Sequence, residues 1–204
     1  MGRYTGPKVR KSKRVRAPIS DTTKHMKADL ERGPGVHGER RRGKMTLYGE
    51  RLREKQKLAF FYHVGDRQFR RYMKEAERTR GNTADKLNEI LERRLDNVIR
   101  RAAFARTIWQ ARQVVTHGHV FVNGRKTDRP SYQVVGNDVI TIRAKEKSQK
   151  AVKAMAESAD TANIIPSWLE SNRETLTAKV LRVPTSEEIF RPFETNMQHV
   201  VEFR

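Results

Sequence analysis

Residues 83–143 read TADKLNEILERRLDNVIRRAAFARTIWQARQVVTHGHVFVNGRKTDRPSYQVVGNDVITIR. Apolar side chains recur every three or four positions through the first part of this stretch, which is the spacing of one face of an α-helix. This face consists of Leu87, Ile90, Leu91, Leu95, Val98, Ile99 and Ala102. The pattern predicts one long helix that is buried along this face. The opposite face, which we expect to be exposed, carries Arg93, Arg94, Arg100 and Arg101.

A second, shorter helix is predicted to begin after Thr107. Thr107 and Gln110 have the spacing of a capping box, in which each side chain bonds the main chain of the other. The helix places Arg112 outward, and Gly118 is the residue type that commonly ends a helix. Its inward positions are Ile108, Ala111, Val114 and Val115.

A β-hairpin and a closing strand come next in the chain. Asn123-Gly124 after a short apolar run is a strong signal for a two-residue hairpin turn, and Arg125 and Lys126 lie just beyond it. A last strand is predicted over 139–143. The stretch therefore predicts a small unit of two helices on a short antiparallel sheet, with arginines around one rim.

Composition limits the possible functions. The 204 residues include 44 Lys and Arg against 24 Asp and Glu, which gives a net charge of +20. A charge of this size favours a polyanionic partner, either nucleic acid or an anionic membrane surface. There is no cysteine for a disulfide or a thiolate zinc site, and no apolar run approaches the roughly 18 residues of a membrane span. No signal-peptide core is found at the N-terminus, so we expect a cytoplasmic protein.

The positive charge is concentrated in the first three quarters of the chain. Residues 1–57 carry a net charge of +12 and residues 58–150 carry +10, whereas residues 151–204 carry −2. We therefore expect the polyanion to bind before residue 151 and the last quarter to face protein or solvent.

Residues 1–44 predict a basic arm. They hold too few apolar side chains to order themselves alone, so the segment is either a solvated, disordered tail or an extended arm that orders along phosphates. The arginine density and an interleaved tyrosine favour the second interpretation, since guanidinium and aromatic planes also stack on bases. The candidate RNA-binding residues of the arm are Arg3, Tyr4, Lys8, Arg10, Lys11, Arg14, His37, Arg41, Arg42 and Lys44.

Residues 45–82 predict the helical part of a first domain, with two helices separated at Gly65-Asp66. The exposed cations Arg53, Lys55, Lys57, Arg70 and Arg71 are further candidates for phosphate contacts. Glu50, Glu54 and Asp66 could instead hold some of them in surface ion pairs worth about 0–1 kcal/mol each. We expect a mixture of the two.

Residues 144–204 predict a helical connector and then a C-terminal segment. The connector ends before Pro166, and Trp168 and Leu169 anchor the segment beyond it. A final strand over 199–203 is expected to return to the helices of residues 45–81. The domain prediction is thus an arm at 1–44, a first domain at 45–82 completed by 144–204, and an inserted unit at 83–143.

The inserted unit resembles the small RNA-binding domain named after ribosomal protein S-four. The matching residues are Arg94, Leu95, Asp96, Thr107, Ala111, Arg112, Val115, Gly118, Val120, Val122, Asn123, Gly124, Ser131, Val134, Asp138 and Ile140. Two positions depart from the family pattern: Ala103 stands where glycine is usual, and Ile108 follows Thr107 where arginine is usual. We expect Arg106 to replace the missing arginine. Ile108 and Trp109 could each belong to the core or to a base-stacking contact.

The resemblance extends over essentially the whole chain. Gly2-Arg3-Tyr4 and Gly6-Pro7-Lys8 match the start of the S-four family, and further blocks match at 34–38, 48–57, 67–72 and 166–170. Many relatives hold a cysteine-ligated zinc in the arm, so the chain resembles the cysteine-free variant, and no metal or cofactor is expected. The resemblance implies an α+β fold: the basic extended arm, a mainly helical first domain and the inserted RNA-binding domain.

The resemblance also implies a function. Members of this family are structural constituents of the small ribosomal subunit that bind the 5′ domain of 16S ribosomal RNA and nucleate its assembly. With small-subunit protein five they support translational accuracy near the channel through which messenger RNA enters, and messenger RNA is a further candidate partner. No membrane or small-molecule substrate is implied. The implied RNA contacts in the inserted domain are Arg94, Arg106, Thr107, Arg112, His117, Asn123, Gly124, Arg125 and Lys126, and the protein-facing candidates are His199, Val201, Glu202 and Arg204.

Three alternatives compete with this interpretation. Pseudouridine synthases carry the same small domain, and Arg94-Leu95-Asp96 resembles part of their catalytic motif; against them, residue 93 is not glycine and the chain after residue 143 is short. A DNA-compacting or membrane-surface protein would be consistent with charge alone, but the one basic amphipathic helix needs its apolar face for the core. His117 and His119 could form a metal or acid–base pair, although capping the helix or touching a phosphate is the simpler role.

Overall fold

The computed structural model describes residues 4, 6–20, 22–38, 44–157 and 165–203. Four candidate residues, Arg3, Arg41, Arg42 and Arg204, lie outside the described part of the chain. The chain divides into two compact units: Met1–Asp66 with Arg191–Arg204, and Arg67–Phe190.

The first unit is helical in its described part. It contains α1 (Lys8–Val15), α2 (Thr23–Met26), α3 (Leu47–Phe61) and, from the end of the chain, α9 (Met197–Glu202). Helices α1 and α9 both pack on α3. The described part of the basic arm is therefore not simply extended, because Val15 and Ile19 are buried and the α3 surface supplies the apolar area that the arm lacks.

The C-terminal segment differs from the prediction. The strand predicted over 199–203 is wrong, since residues Met197–Glu202 form a helix. The side chain of Asn196 accepts a hydrogen bond from the main-chain N–H of His199 and so caps the first turn. Val200, which is 1% exposed, is the residue that α9 buries.

The second unit contains helices and one antiparallel sheet. Its helices are α4, which begins at the boundary (Asp66–Arg78), α5 (Thr83–Glu92), α6 (Leu95–Arg101), α7 (Ile108–Thr116) and α8 (Glu146–Glu157), with a 3₁₀ turn at Ser186–Glu188. Its strands are β1 (Val120–Val122), β2 (Arg125–Lys126), β3 (Val139–Ile142), β4 (Leu169–Asn172) and β5 (Thr177–Val180). This combination confirms the α+β fold class. No described helix is both long enough and apolar enough to cross a membrane.

The sheet has the strand order β2-β1-β3-β5-β4. The predicted hairpin is present as β1 and β2, and Val120 of β1 lies opposite Ile142 of β3. Strands β4 and β5 were not predicted; they form a second hairpin that joins the sheet through the β3–β5 pair. The core lies between one face of this sheet and α6, α7 and α8, and Trp168, 1% exposed, belongs to it.

The predicted long helix is broken at Arg93-Arg94. Arg94 has an extended backbone (φ −64°, ψ 134°) and forms an isolated β-bridge with Gln133. The main chain on either side of the break bonds the same segment, because Leu95 N–H donates to Tyr132 and Val134 N–H donates to Arg93. The break reorients the second half of the predicted helix. We expected Arg94 and Arg100 to be exposed, but they are only 1% and 4% exposed.

Candidate nucleic-acid interface

A buried ionic network lies at the start of α6. The Asp96 carboxylate is 0% exposed and accepts two hydrogen bonds from the Arg94 guanidinium, at 3.0 Å from Nε and 2.6 Å from Nη2. Oδ1 of Asp96 also accepts from the main-chain N–H of Asn97. Arg94 donates in addition to the Tyr72 hydroxyl of α4 at 2.8 Å, so the guanidinium is bonded inside the unit rather than presented to solvent.

The network reaches the surface at Arg112 of α7. One guanidinium nitrogen of Arg112 lies 3.6 Å from Oδ2 of Asp96, and its side chain is half-buried. Burial lowers the pKa of Arg112, and the neighbouring Arg94 lowers it further, while Asp96 opposes both effects. Asp96 therefore compensates the buried Arg94 and is also an ion-pair partner of the half-buried Arg112.

The other arginines of the predicted rim also have structural partners. Arg93 pairs with Glu89 at 3.0 Å, and Arg101 pairs with the buried Glu92 at 2.7 Å. Arg100 donates to the side chain of Asn97 at 3.2 Å. The rim of free arginines expected along the first helix is thus mostly an internal charge network.

Helix α7 begins as predicted, and the burial of its first residues shows where Ile108 and Trp109 lie. The Thr107–Gln110 capping box is complete, with Thr107 accepting from Gln110 N–H and the Gln110 side chain accepting from Thr107 N–H. Ile108 is 3% exposed and belongs to the core, whereas Trp109 and Arg106 are half-buried. Nε of Arg106 is buried and has no hydrogen-bond partner among the described residues.

The hairpin turn is stabilised by the side chain of Asn123, one of its own residues. Asn123 has φ +49°; its amide donates to the Asp138 carboxylate at 2.8 Å and accepts from Val139 N–H at 2.9 Å. Its polar atoms are thus engaged in holding the turn against β3. Gly124, Arg125 and Lys126 are all exposed, so this turn presents two cations to solvent.

In the first unit, two of the predicted phosphate contacts are ion pairs. Lys55, expected to be exposed, is 7% exposed and lies 2.5 Å from Asp66 and 4.8 Å from the centre of the Phe203 ring. Lys57 lies 2.6 Å from Glu54. The alternative that carboxylates hold some of these cations is therefore correct for both lysines.

The remaining cations of the first unit are more accessible. Lys11 lies over the rings of Tyr4 and Phe60, at 3.7 Å and 4.7 Å from their centres, and its burial lowers its pKa. Burial, and then the charge of Arg16, also lowers the pKa of Arg53. Lys8 is half-buried, and the exposed candidates in this unit are Arg10, Arg14, His37 and Lys44. On α4, Arg70 and Arg71 are exposed as expected.

Comparison with known proteins identifies the family. A family model described as the ribosomal protein S4/S9 N-terminal domain matches residues 3–92, and the S4 domain matches residues 93–140. Proteins named small ribosomal subunit protein uS4 are similar over 100% of this chain and 98% of their own length: they are 44% identical in Persephonella marina, 42% in Aquifex aeolicus and 45% in Akkermansia muciniphila. The chain belongs to the uS4 family.

Membership in the uS4 family makes the chain a structural, RNA-binding constituent of the small ribosomal subunit, located on the ribosome, and not an enzyme. The position of Asp96 agrees with this, since both of its oxygens are engaged inside the unit. Among the described residues, no group of three or more His, Asp or Glu side chains is placed to hold a metal ion. Ala103, where the resemblance expects glycine, has φ +60° and is 0% exposed, which explains the preference for a residue without a Cβ.

Three of the four protein-facing candidates of this uS4 member lie on α9. His199 and Val201 are half-buried, and Glu202 is exposed and pairs with Arg51 of α3 at 2.5 Å. Tyr48, 64% exposed, lies 5.3 Å from the ring of Phe203.

The residues that the sequence did not indicate are partners or neighbours of the candidate contacts rather than the contacts themselves. Tyr72 was not among the candidates, but its hydroxyl is a partner of Arg94. Arg143 was not chosen as a contact, although it lies beside His119, for which capping the helix or touching a phosphate was the simpler role. The sequence signal that could have indicated Arg143 is the excess of cations around Gly118.

Proposed function

We propose that this uS4 member binds the 5′ domain of 16S ribosomal RNA as a primary binding protein and nucleates assembly of that domain. The observation that supports this most directly is the Asp96 network. A fully buried carboxylate is costly unless counter-charges and hydrogen bonds compensate it, and here Arg94 and the half-buried Arg112 share that carboxylate. Pre-oriented guanidinium groups are suited to phosphates and to the shape of folded RNA.

The RNA contacts are proposed on the surfaces that remain accessible. Arg112 and Arg106 of the α7 region, Arg125 and Lys126 of the hairpin, and His117 would meet the RNA from the second unit. The exposed cations of α1 and α4 would add contacts to phosphates. Arg94, Lys55, Thr107 and Asn123 are proposed to position the contact residues, because their polar groups are already engaged.

The test is binding to the isolated 5′ domain of 16S ribosomal RNA and to duplex DNA of equal length across a salt series. We expect a preference for the RNA that persists at high salt, since shape recognition adds to the salt-dependent backbone contacts. Arg112→Ala should reduce this preference about tenfold or more. Lys179→Ala removes one exposed positive charge from β5 of the same unit and should leave it nearly unchanged.

Two results would contradict the proposal. Equal affinities for RNA and DNA that vanish together as salt increases would mean that only charge is recognised. Equal losses in Arg112→Ala and Lys179→Ala would mean that the position of Arg112 is unimportant.

We further propose that α9 faces small-subunit protein five, near the channel through which messenger RNA enters, and that this contact supports translational accuracy. Half-buried His199 and Val201 on α9, together with the exposed Tyr48 next to Phe203, provide polar and apolar groups of the kind that protein interfaces use. Tyr48→Ala should weaken binding of purified small-subunit protein five and raise stop-codon readthrough in a reporter assay. Unchanged binding and readthrough would refute this part.

A further inference from the structure

Two histidines stand at the junction of α7 and β1. His117 comes directly after the last residue of α7, Gly118 is next with φ +70°, and His119 precedes β1. The two imidazole rings lie 6.0 Å apart between their centres. His117 is exposed and His119 is half-buried, so both rings can reach a ligand from solvent.

Two permanent cations border this pair. The side chain of Lys126 from β2 crosses over Gly118 so closely that a Cβ added to the glycine would lie 2.5 Å from Cε and 3.0 Å from Nζ. Arg143, at the end of β3, donates its main-chain N–H to the carbonyl of His119 at 2.7 Å. The side chains of Lys126 and Arg143 are both exposed.

The ring of His119 is positioned by a side chain of α8. Its Nδ1 lies 3.0 Å from the hydroxyl of Ser148, which is 4% exposed. A serine hydroxyl can donate to a neutral imidazole nitrogen or accept from a protonated one, so this bond can persist in both charge states of the histidine. The ring can therefore gain a proton without losing its position.

The electrostatic environment of the pair is positive. Burial lowers the pKa of His119, and the charges of His117 and Arg143 lower it further. Further charged groups on the adjoining elements are Arg112 on α7, Arg125 on β2, Lys145 before α8, and Glu146, Lys150, Lys153 and Glu157 on α8. Glu146 pairs with Lys150 at 2.6 Å. A bound anion would relieve this repulsion and stabilise the protonated imidazole of His119.

We propose that His117, His119, Lys126 and Arg143 form a phosphate-binding site that takes up protons when RNA binds, so that affinity for RNA rises as the pH falls. The inference rests on the proposed RNA-binding function and adds to it His119, Arg143 and the coupling to protons. Backbone phosphates of the RNA, rather than bases, are the expected ligand, because the four side chains offer charge and hydrogen-bond donors.

The experiment is binding of the full chain to the isolated 5′ domain of 16S ribosomal RNA between pH 5.5 and 8.0 at constant ionic strength. One unit of difference between the free and bound pKa of one histidine changes the affinity up to about tenfold across this range. We expect wild-type affinity to be roughly five- to tenfold higher at pH 5.5 than at pH 8.0. The double variant His117→Gln, His119→Gln should lose this dependence and bind like the wild type at pH 8.0. His63→Asn, at a half-buried histidine of the first unit with φ +51°, is the control and should keep it.

A direct titration keeps the proposal testable if the double variant is unstable. The pKa of His119, measured by NMR in the wild-type protein, should rise when the same RNA is added. A flat wild-type affinity, an unchanged slope in the double variant or an unshifted pKa of His119 would each overturn the phosphate site. Absence of RNA binding at every pH would instead overturn the proposed function, so the two failures are distinguishable.

Discussion

Asp96 and Arg94 form a buried ion pair whose members depend on each other. The carboxylate is 0% exposed and the guanidinium belongs to a residue that is 1% exposed, so neither charge can be hydrated if its partner is removed. Breaking a buried pair from one side usually costs more than the pair contributes when intact, because the remaining charge is left uncompensated. This asymmetry makes the pair a sensitive test of the network.

We predict that Asp96→Ala lowers the free energy of unfolding by about 3–5 kcal/mol, because the guanidinium of Arg94 would stay buried without a counter-charge. Urea denaturation monitored by circular dichroism would measure this loss. Glu146→Ala, which breaks an exposed pair with Lys150, is the matched control and should cost at most about 0.5 kcal/mol. Similar losses in the two variants would contradict the assigned role of Asp96.

His25 should make the first unit sensitive to acid. The ring is 3% exposed, its Nδ1 lies 2.6 Å from the hydroxyl of Ser12, and burial together with the charge of Lys8 lowers its pKa. The folded state therefore disfavours the proton that the unfolded state accepts below the ordinary pKa of 6.5. Stability is undiminished above that pH and decreases as the pH falls below it, towards the lowered folded pKa.

The corresponding measurement is thermal unfolding between pH 8 and pH 5, compared in the wild type and His25→Gln. The wild type should lose more stability over this interval than the variant does, since glutamine does not titrate. Parallel curves would show that another group causes any acid sensitivity.

At the scale of elements, α7 is the helix whose start depends most on local sequence. Thr107→Ala removes the side-chain acceptor of the capping box and should cost about 1 kcal/mol of unfolding free energy. Thr116→Ala at the exposed end of the same helix removes a hydroxyl that bonds only the preceding turn, and should change stability by less than about 0.5 kcal/mol. Chemical denaturation of both variants tests the difference, and equal effects would refute the role of the cap.

Elements specified by local signals were predictable, and elements specified by distant partners were not. The capping box of Thr107 and the Asn123-Gly124 turn act within a few residues and are present as predicted. The break at Arg94 depends on a bridge to Gln133, which is far along the chain, so helical periodicity alone did not indicate it.

The same reasoning explains β4, β5 and the misassigned cations. Strand β4, Leu169–Asn172, is short and mostly polar, and it is stabilised by pairing with β5 rather than by its own pattern. Lys55 and Arg94 were predicted to be exposed because their partners, Asp66 and Tyr72, come close only in the folded chain. Charge patterning predicted a basic surface but could not separate solvent-facing cations from paired ones.

At the scale of the molecule, the chain leaves the first unit near Asp66 and returns to it at Arg191. Residues 1–150 carry a net charge of +22, whereas the returning segment supplies α9 and no net positive charge. A polyanion and a protein partner can therefore use different parts of one chain. For the protein partner to use the returning segment, the C-terminal helix α9 has to be folded as part of the first unit.

We expect the two units to respond differently when α9 is disrupted. Val200 of α9 is 1% exposed, and α9 packs on α3, whereas no residue of α9 belongs to the core cluster between the sheet and its helices. Val200→Asp would bury a carboxylate without a counter-charge and should destabilise the packing of α3 by several kcal/mol. Hydrogen exchange measured by mass spectrometry should then show faster exchange in α3 and unchanged protection in β1 and β3.

Gln198→Asp places the same carboxylate on an exposed position of α9 and should leave exchange in both units as in the wild type. The two variants carry the same added charge on one helix, and Gln198→Asp also removes the hydrogen bond from Gln198 to Glu202. A larger effect of Val200→Asp would therefore report the burial of its carboxylate. Faster exchange in α3, β1 and β3 together in Val200→Asp would show that the two units unfold as one cooperative structure. Protection of α3 in that variant would show instead that the contact of Val200 does not hold α9 in place.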